Sequence, residues 1–134
     1  MKNDCIFCAI AEGEIPSFKI YEDGEVLAYL DINPCSKGHT LVIPKKHYAN
    51  LAETDEEALK TLIASVRKVA VHIAQRLGAD GFNILQNNGR AAGQSVFHVH
   101  FHIVPRYGEK PSLDFRSKEM DMAALAALAD EIKM

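Results

Sequence analysis

The first half of the chain alternates apolar and polar side chains in three short stretches, which is the pattern of β-strands with one buried face. The stretches cover residues 18–21, 25–31 and 40–43. Segments rich in Gly, Pro, Asn and Asp lie between them and supply the turns that reverse a chain. The pattern therefore predicts an antiparallel meander of three strands.

After residue 54 the apolar side chains recur every three or four positions, which is the period of an amphipathic helix. Thr54 followed by Glu57 fits a capping box at its start, and Gly78 stands where a C-terminal cap belongs. The Ala/Leu-rich segment 120–133 predicts a second, C-terminal helix. The apolar stripe of the long helix consists of Leu59, Leu62, Ile63, Val66, Val69, Ala70, Ile73 and Leu77.

Two further strands are predicted near residues 81–86 and 96–104, on either side of a loop rich in Asn and Gly. The sum is an α+β fold, with an antiparallel sheet of about five strands and helices packed on it. A length of 134 residues is enough for one domain and too short for two of ordinary size. We therefore expect a single domain over residues 1–134.

The composition argues against several classes of protein. Fifteen Lys and Arg residues against 18 Asp and Glu give a net charge of −3, whereas proteins held to nucleic acid by phosphate contacts have a basic excess. No apolar run approaches the roughly 18 to 20 residues of a membrane span. The first residues, MKNDCIFCAIAEGEIP, include charges and lack the long apolar stretch of a signal peptide. We expect a cytoplasmic protein that binds neither nucleic acid nor a membrane.

The most informative segment holds three of the six histidines at alternate positions. In a strand, His98, His100 and His102 would point to one face. With a rise of roughly 3.3 Å per residue the outer two are about 13 Å apart, too far to share an ion whose bonds to nitrogen are about 2.0 to 2.1 Å. At least one imidazole is therefore free for other chemistry. The opposite face, which the long helix could cover, consists of Phe97, Val99, Phe101 and Ile103.

Cys5 and Cys8 form a Cys-x-x-Cys pair. Such a pair can belong to a metal site, can be a redox couple, or can occur by chance. Structural zinc takes four nitrogen or sulfur ligands, often with cysteines at this spacing. His47 follows the third strand closely and could approach His98 at the start of the histidine strand. We predict one structural zinc ion per chain, held by these four side chains, that ties the N-terminus to the sheet. Cys35 has no partner in the sequence and is interpreted as an ordinary residue.

Several motifs occur together along the chain. They are Cys5-Ile-Phe-Cys8, Glu14-Ile-Pro16, Leu30-Asp31-Ile32, Gly38-His39-Thr-Leu-Val-Ile-Pro44-Lys-Lys-His47, Gly93-Gln94-Ser95 and His98-Val-His100-Phe-His102-Ile-Val. Over residues 4–107 the chain resembles the histidine triad (HIT) superfamily of nucleotide hydrolases and transferases. The Asp31 and Ser95 pattern is similar to the nucleoside phosphoramidase branch, in the form that bacteria carry with an N-terminal Cys pair. The C-terminal tail, residues 108–134, is variable, and residues 111–134 depart most from the family.

The resemblance implies a homodimer with a HIT-like α+β fold, in which each subunit binds a purine nucleoside monophosphate group. It implies that His100 is the nucleophile and that Asp31 binds the ribose hydroxyls. It also matches Cys5, Cys8, His47 and His98 to the zinc ligands of the family. The remaining residues that the resemblance places around the phosphate are His39, His102, Ser95, Asn87 and Gln94, and those around the base are Phe7, Ile10, Tyr29 and Ile32. Gly93 would let a backbone amide approach the phosphate closely.

A neutral imidazole is a competent nucleophile near pH 7. Attack of His100 on the α-phosphorus would form a nucleotidyl-histidine, expel an amine or phosphate, and let water release the nucleoside monophosphate. The chain has no Gly-x-x-x-x-Gly-Lys phosphate loop, and no organic cofactor is expected. Three alternatives stay open: a dinucleoside polyphosphate hydrolase with the same nucleophile, a nucleotide-binding protein with negligible turnover, and a metal-dependent hydrolase whose ion is held by His39, His100 and His102.

Overall fold

A computed structural model describes residues 4–134 of the chain. It has one five-stranded antiparallel sheet, one long helix and a C-terminal helix, so the predicted α+β fold is confirmed. In chain order the elements are α1 (Ile6–Ala11), β1 (Lys19–Glu22), β2 (Val26–Leu30), β3 (Thr40–Pro44), α2 (Glu56–Leu77), β4 (Gly81–Leu85), a 3₁₀ turn (Arg90–Ala92), β5 (Phe101–Arg106) and α3 (Met122–Ile132). The strand order across the sheet is β1-β2-β3-β5-β4. Within residues 4–134, no helix is both long and apolar enough to cross a bilayer.

Both faces of the central strands are covered. Every residue of β2 and β3 is buried. On one face, Ala28 and Val42 join the core formed with Ile73 of α2. On the other face, Tyr29 packs in a second apolar cluster with Phe7 of α1. This second cover comes from a helix of six residues, which the sequence pattern did not predict.

The long helix α2 has the predicted amphipathic stripe but a different N-terminal cap. Asp55 is the N-cap, and its carboxylate accepts a hydrogen bond of 3.1 Å from the backbone N–H of Ala58. The predicted capping box is wrong, because the Thr54 hydroxyl instead donates to the Asn50 carbonyl at 2.7 Å. Gly78 ends the helix in the left-handed conformation, at φ +64°, as its position predicts.

The histidine-rich segment is only partly a strand. β5 begins at Phe101, whereas the alternation predicts a start at residue 96. The residues before it leave the ladder, and the N–H of Val99 donates to the Tyr48 carbonyl at 2.7 Å. Val99 and Phe101 enter the core beneath α2, as predicted. The side chain of Phe97 is 42% exposed, so its predicted place in that core is wrong.

The turn before β3 packs tightly against the end of α2. Gly38 has φ +91°, and a Cβ atom there would lie 2.6 Å from Leu77 Cδ1 and 3.2 Å from Pro105 Cγ. Glycine therefore lets the backbone that carries His39 approach both α2 and β5.

Candidate functional site

A cavity of about 490 Å³ opens between α1 and the face of the sheet that α1 covers. The predicted site residues that line it are Phe7, Ile10, Tyr29, Asp31, Ile32, His100 and His102. No site role was predicted for other lining residues, such as Ile15, which lies in the Glu14-Ile-Pro16 motif, Phe18 and Met122 of α3. An apolar residue beside a turn carries the same sequence signal whether it lines a cavity or a core, so no local pattern identifies these three.

His100 is buried, and one of its ring nitrogens is committed to the protein. Nδ1 lies 2.7 Å from the carbonyl oxygen of His98. A carbonyl oxygen only accepts, so Nδ1 carries the proton and Nε2 keeps its lone pair in the neutral ring. Burial lowers the pKa of His100, although the His98 carbonyl and the Asp31 carboxylate oppose this effect. The ring is therefore neutral near pH 7 and can act as a nucleophile through Nε2.

His39 and His102 form a second pair, with His39 Nε2 3.0 Å from His102 Nδ1. The backbone N–H of Cys35 donates to His39 Nδ1 at 3.0 Å. Neutral His39 therefore carries its proton on Nε2 and donates it to His102 Nδ1, which leaves the His102 proton on Nε2. Burial lowers the pKa of both rings to about 4, so both are neutral at pH 7. His102 thus has an N–H donor on a ring that lines the cavity.

Asp31 completes a group with His39 and His102 whose potential ligand atoms all lie within 4.8 Å of one another. Asp31 Oδ2 is 3.6 Å from His39 Nε2, and burial raises the pKa of the Asp31 carboxyl. A metal ion binds a ring nitrogen through its lone pair and displaces any proton there. An ion on His39 Nε2 would therefore move the ring proton to Nδ1, where it would face the Cys35 N–H that now donates to that atom. The tautomers therefore disfavour the alternative in which these histidines hold a catalytic ion.

The other residues predicted to bind phosphate lie in the loop between β4 and β5. None of them is among the described residues that line the cavity. Gln94 is 2% exposed, and both ends of its side-chain amide are hydrogen-bonded within the protein. Oε1 accepts from Gly89 N–H at 2.7 Å, and Nε2 donates to the carbonyls of Ala49 at 2.8 Å and Val96 at 3.0 Å. Gln94 thus holds the loop together. The loop also contains Asn87, Gly93 with φ +93°, and the exposed Ser95.

Two cysteines and two histidines converge beside this cavity, with ligand atoms all within 4.8 Å of one another. They are Cys5, Cys8, His47 and His98. His47 Nδ1 lies 3.2 Å from His98 Nδ1 and 3.3 Å from Cys8 Sγ, and His98 Nδ1 lies 3.5 Å from both sulfur atoms. A tetrahedral ion with bonds of about 2.0 to 2.3 Å separates its ligand atoms by about 3.3 to 3.8 Å, close to these distances. The four side chains could therefore hold one metal ion.

His98 connects this candidate metal site to the cavity. Its Nε2 donates to the Pro44 carbonyl at 2.8 Å, so Nδ1 keeps the lone pair that a metal needs, while its backbone carbonyl binds His100. Phe7 of α1 packs edge-on against both rings, with centroids 6.0 Å from His98 and 5.0 Å from His100. An ion that fixes α1 and His98 would therefore also fix the cavity wall and the orientation of His100.

Known proteins resemble this chain over most of its length. The HIT domain family matches residues 12–109. An adenosine 5′-monophosphoramidase of Schizosaccharomyces pombe is 44% identical over 130 residues, which cover 96% of this chain and 95% of that protein. An adenylylsulfatase of Arabidopsis thaliana is 48% identical over 106 residues, which cover 79% of this chain and 54% of the plant protein.

A solved structure agrees with the sequence relatives. The crystal structure of a zinc-bound histidine triad family protein from Mycobacterium smegmatis matches with a TM-score of 0.76 and 41% identity, over 96% of this chain and 94% of that chain. The family match over residues 12–109 and a relative 44% identical over nearly the whole chain show that this chain belongs to the HIT domain family.

Proposed function

We propose that this chain is a nucleotide hydrolase that cleaves a phosphoramidate or phosphoanhydride bond at the α-phosphate of a purine nucleotide and releases the nucleoside monophosphate. One observation carries the proposal: the bond from His100 Nδ1 to the His98 carbonyl leaves Nε2 with a lone pair on a ring that lines the cavity. Relatives named as an adenosine 5′-monophosphoramidase and an adenylylsulfatase support this substrate class.

We assign the base and the ribose to the cavity, and the phosphate to the histidine rings at its wall and the neighbouring loop before β5. Phe7 and Tyr29 meet edge to face, with centroids 6.1 Å apart, and wall an apolar space in which a purine ring can lie. Asp31, which follows β2, can accept hydrogen bonds from the ribose hydroxyls. The groups that we assign to the phosphate are His100, His102 and, from the loop before β5, Asn87, Gly93 and Ser95.

The reaction proceeds in two displacements at phosphorus. His100 Nε2 attacks the α-phosphorus, the bond to the leaving group breaks, and a leaving amine takes a proton from solvent water. Water then attacks the nucleotidyl-histidine, releases the nucleoside monophosphate and a proton, and restores neutral His100. His102 Nε2–H donates to a phosphoryl oxygen, on which negative charge increases in the transition state. Removing one such preorganised donor typically raises a barrier by about 2.7 to 4 kcal/mol.

We assign zinc to the four-residue metal site, because two thiolates and two imidazoles form a set typical of structural zinc. Cys5, Cys8, His47 and His98 would hold the ion with four protein ligands, so it would stabilise α1 against the sheet and leave the reaction to the side chains of the cavity. The zinc-bound relative from Mycobacterium smegmatis supports this assignment.

A second copy of the chain is the proposed partner. β4 is an edge strand of the sheet, and its side chains Phe82 and Ile84 are each 40% exposed. An edge strand with exposed apolar side chains is a template for pairing with another chain. We therefore expect a homodimer in which this surface is covered.

A time course with adenosine 5′-phosphoramidate and diadenosine tetraphosphate tests the activity. Wild type would be compared with His100→Ala and with His72→Ala. His72 is a matched control because it lies outside both histidine clusters, where its Nε2 contacts the Ile132 carbonyl at 2.8 Å. We expect faster cleavage of the phosphoramidate, which is lost in His100→Ala and retained in His72→Ala.

Other outcomes would favour the alternatives. Faster cleavage of the tetraphosphate would indicate a dinucleoside polyphosphate hydrolase. Cleavage of neither substrate, together with tight binding of the monophosphate, would indicate a nucleotide-binding protein. A rate that requires an added divalent cation would indicate a metal-dependent hydrolase.

A further inference from the structure

A C-terminal segment packs against the turn that precedes His39. We call residues 114–118 the C-terminal strap. The backbone N–H of Lys118 donates to the Pro34 carbonyl at 2.8 Å, and Lys118 Nζ donates to the Cys35 carbonyl at 2.9 Å. The Cys35 thiol donates to the Phe115 carbonyl at 3.1 Å. Hydrogen bonds therefore join the strap to two consecutive residues of the turn.

One peptide group connects the strap to the histidines. The Pro34 carbonyl and the Cys35 N–H belong to the same planar unit. Its oxygen accepts from the backbone N–H of Lys118, and its own N–H donates to His39 Nδ1 at 3.0 Å. His39 Nε2 in turn donates to His102 Nδ1 at 3.0 Å. A continuous series of hydrogen bonds thus runs from the strap to the cavity, and each bond polarises the next.

Further contacts hold the turn between β5 and the strap. The Ser36 hydroxyl donates to the Pro105 carbonyl at 2.7 Å. The guanidinium group of Arg106, also in β5, lies 4.9 Å from the centre of the Phe115 ring. The turn therefore has a fixed support on the β5 side, and the Lys118 bonds secure its other side.

We propose that Lys118 is a positioning residue for the reaction. By holding the Pro34–Cys35 peptide, it keeps the His39 proton on Nε2, and through His39 it keeps the His102 proton on Nε2, the donor assigned to the phosphate. The inference rests on the proposed function. The strap lies beyond residues 12–109, which match the HIT domain family, so this determinant comes from outside the family match.

Loss of the strap contacts has a defined chemical consequence. If the peptide rotates, the Cys35 N–H turns away from His39, and His39 can carry its proton on Nδ1. The lone pair of His39 Nε2 then faces His102 Nδ1, which favours the His102 tautomer with its proton on Nδ1. That tautomer has no donor at Nε2, so kcat falls more than substrate binding weakens.

Substitutions at one position remove the contacts in steps. Lys118→Met removes the Nζ bond to the Cys35 carbonyl, together with the longer Nζ contacts to the Arg116 carbonyl at 3.5 Å and Asp114 Oδ2 at 3.6 Å within the strap, and keeps the backbone N–H. Lys118→Pro removes the Nζ contacts and the backbone N–H. Lys118→Arg keeps a side-chain donor. Glu119→Pro is the matched control, because within residues 4–134 the Glu119 N–H makes no backbone hydrogen bond outside a helix or strand.

Nitrogen-15 NMR of the histidine rings in the ligand-free protein reports which nitrogen carries the proton, independently of turnover. We expect Nε2 protonation of His39 and His102 in wild type, Lys118→Arg and Glu119→Pro. Lys118→Pro is expected to populate the Nδ1-protonated form of His39, and Lys118→Met an intermediate mixture. In Lys118→Pro, kcat for adenosine 5′-phosphoramidate is expected to fall roughly 10- to 100-fold, with KM changed less than about threefold.

The outcomes separate the two proposals. Wild-type tautomers and a wild-type kcat in Lys118→Pro would overturn the role of Lys118. An equal loss of kcat in Glu119→Pro would overturn it as well. If Lys118→Pro does not fold, identical ring spectra and kcat in Lys118→Met and Lys118→Arg would overturn it instead. An inactive wild type would contradict the proposed function, while the ring spectra would still decide whether the strap sets the tautomers.

Discussion

The carbonyl oxygen of His98 accepts a hydrogen bond of 2.7 Å from Nδ1 of His100. The ring of the same His98 donates through Nε2 to the Pro44 carbonyl and has Nδ1 in the metal site. One residue therefore ties the orientation of His100 to the metal site. A bound ion is expected to raise the reaction rate without touching the substrate.

Removal of the metal should lower both stability and activity. We expect about one zinc ion per chain in wild type and none in Cys8→Ser, whose Tm falls because structural zinc in zinc-finger peptides binds with about 10 to 16 kcal/mol. kcat should fall as well, because the His98 carbonyl loses its support. Elemental analysis, thermal unfolding and turnover are measured together.

Cys35→Ser is the control for the cysteine substitution, because a serine hydroxyl can still donate to the Phe115 carbonyl. It should retain the metal and unfold near the wild-type temperature. The assignment of the metal site fails if Cys8→Ser keeps one zinc ion per chain and the wild-type Tm.

The pH profile should show neutral histidines well below pH 7. Burial lowers the pKa of His100 and lowers that of His102 to about 4. A lowered pKa means that the neutral ring persists to a lower pH than the usual value of about 6.5. After subtraction of the enzyme-free rate, we expect kcat/KM for adenosine 5′-phosphoramidate to fall only below about pH 6.5. An acidic midpoint above it would argue against a buried neutral nucleophile.

Gly38→Ala should destabilise the protein more than Gly13→Ala. The two glycines have φ of +91° and +81°, so both substitutions place alanine in the left-handed region, at about 1 to 2 kcal/mol. Only at Gly38 does the new methyl meet other side chains, at 2.6 Å from Leu77 Cδ1 and 3.2 Å from Pro105 Cγ. Because Leu77 Cδ1 is the end of a flexible side chain, the added cost of overpacking is about 1 kcal/mol. Urea unfolding measures both variants, and equal losses would refute the close approach to α2.

Gln94→Ala should loosen the loop before β5. It removes the partners of the Gly89 N–H and the Ala49 carbonyl, which lowers the free energy of unfolding by about 1 to 3 kcal/mol. Gln75→Ala, at an exposed position of α2, should change it by less than about 0.5 kcal/mol. kcat should also fall in Gln94→Ala alone, because the loop carries Ser95. Equal changes in the free energy of unfolding and in kcat in the two variants would show that Gln94 does not support the loop.

Much of the fold could be predicted from the sequence, because periodicity records which face of an element is buried. The 22 residues of α2 give a clear helical period, whereas the six of α1 are too few for one. The alternation near residue 96 predicts a strand, but the Val99 N–H bonds to Tyr48 instead of to a neighbouring strand. Alternation reports the direction of side chains and leaves the partners of the backbone open.

The site was predictable where chemistry marks it and unpredictable where tertiary contacts create it. Cysteine spacing and clustered histidines predict the two groups that the structure brings together, the Cys/His cluster that could hold an ion and the histidine rings that line the cavity. The bond from Cys35 N–H to His39 Nδ1 is a backbone contact, and Lys118 reaches the same turn from 83 residues away. No local pattern encodes either contact, so the tautomers of His39 and His102 could only be assigned from the structure.

The central claim is that His100 is the nucleophile, and capture of its adduct tests it most directly. Protein turning over adenosine 5′-phosphoramidate would be quenched in alkali, where a phosphorus–nitrogen bond to histidine survives, and measured by intact mass spectrometry. We predict one adenylyl group on wild type, located on His100 by fragmentation, and none on His100→Ala, which still binds the monophosphate. An adduct on another residue, or wild-type turnover by His100→Ala, would contradict the claim.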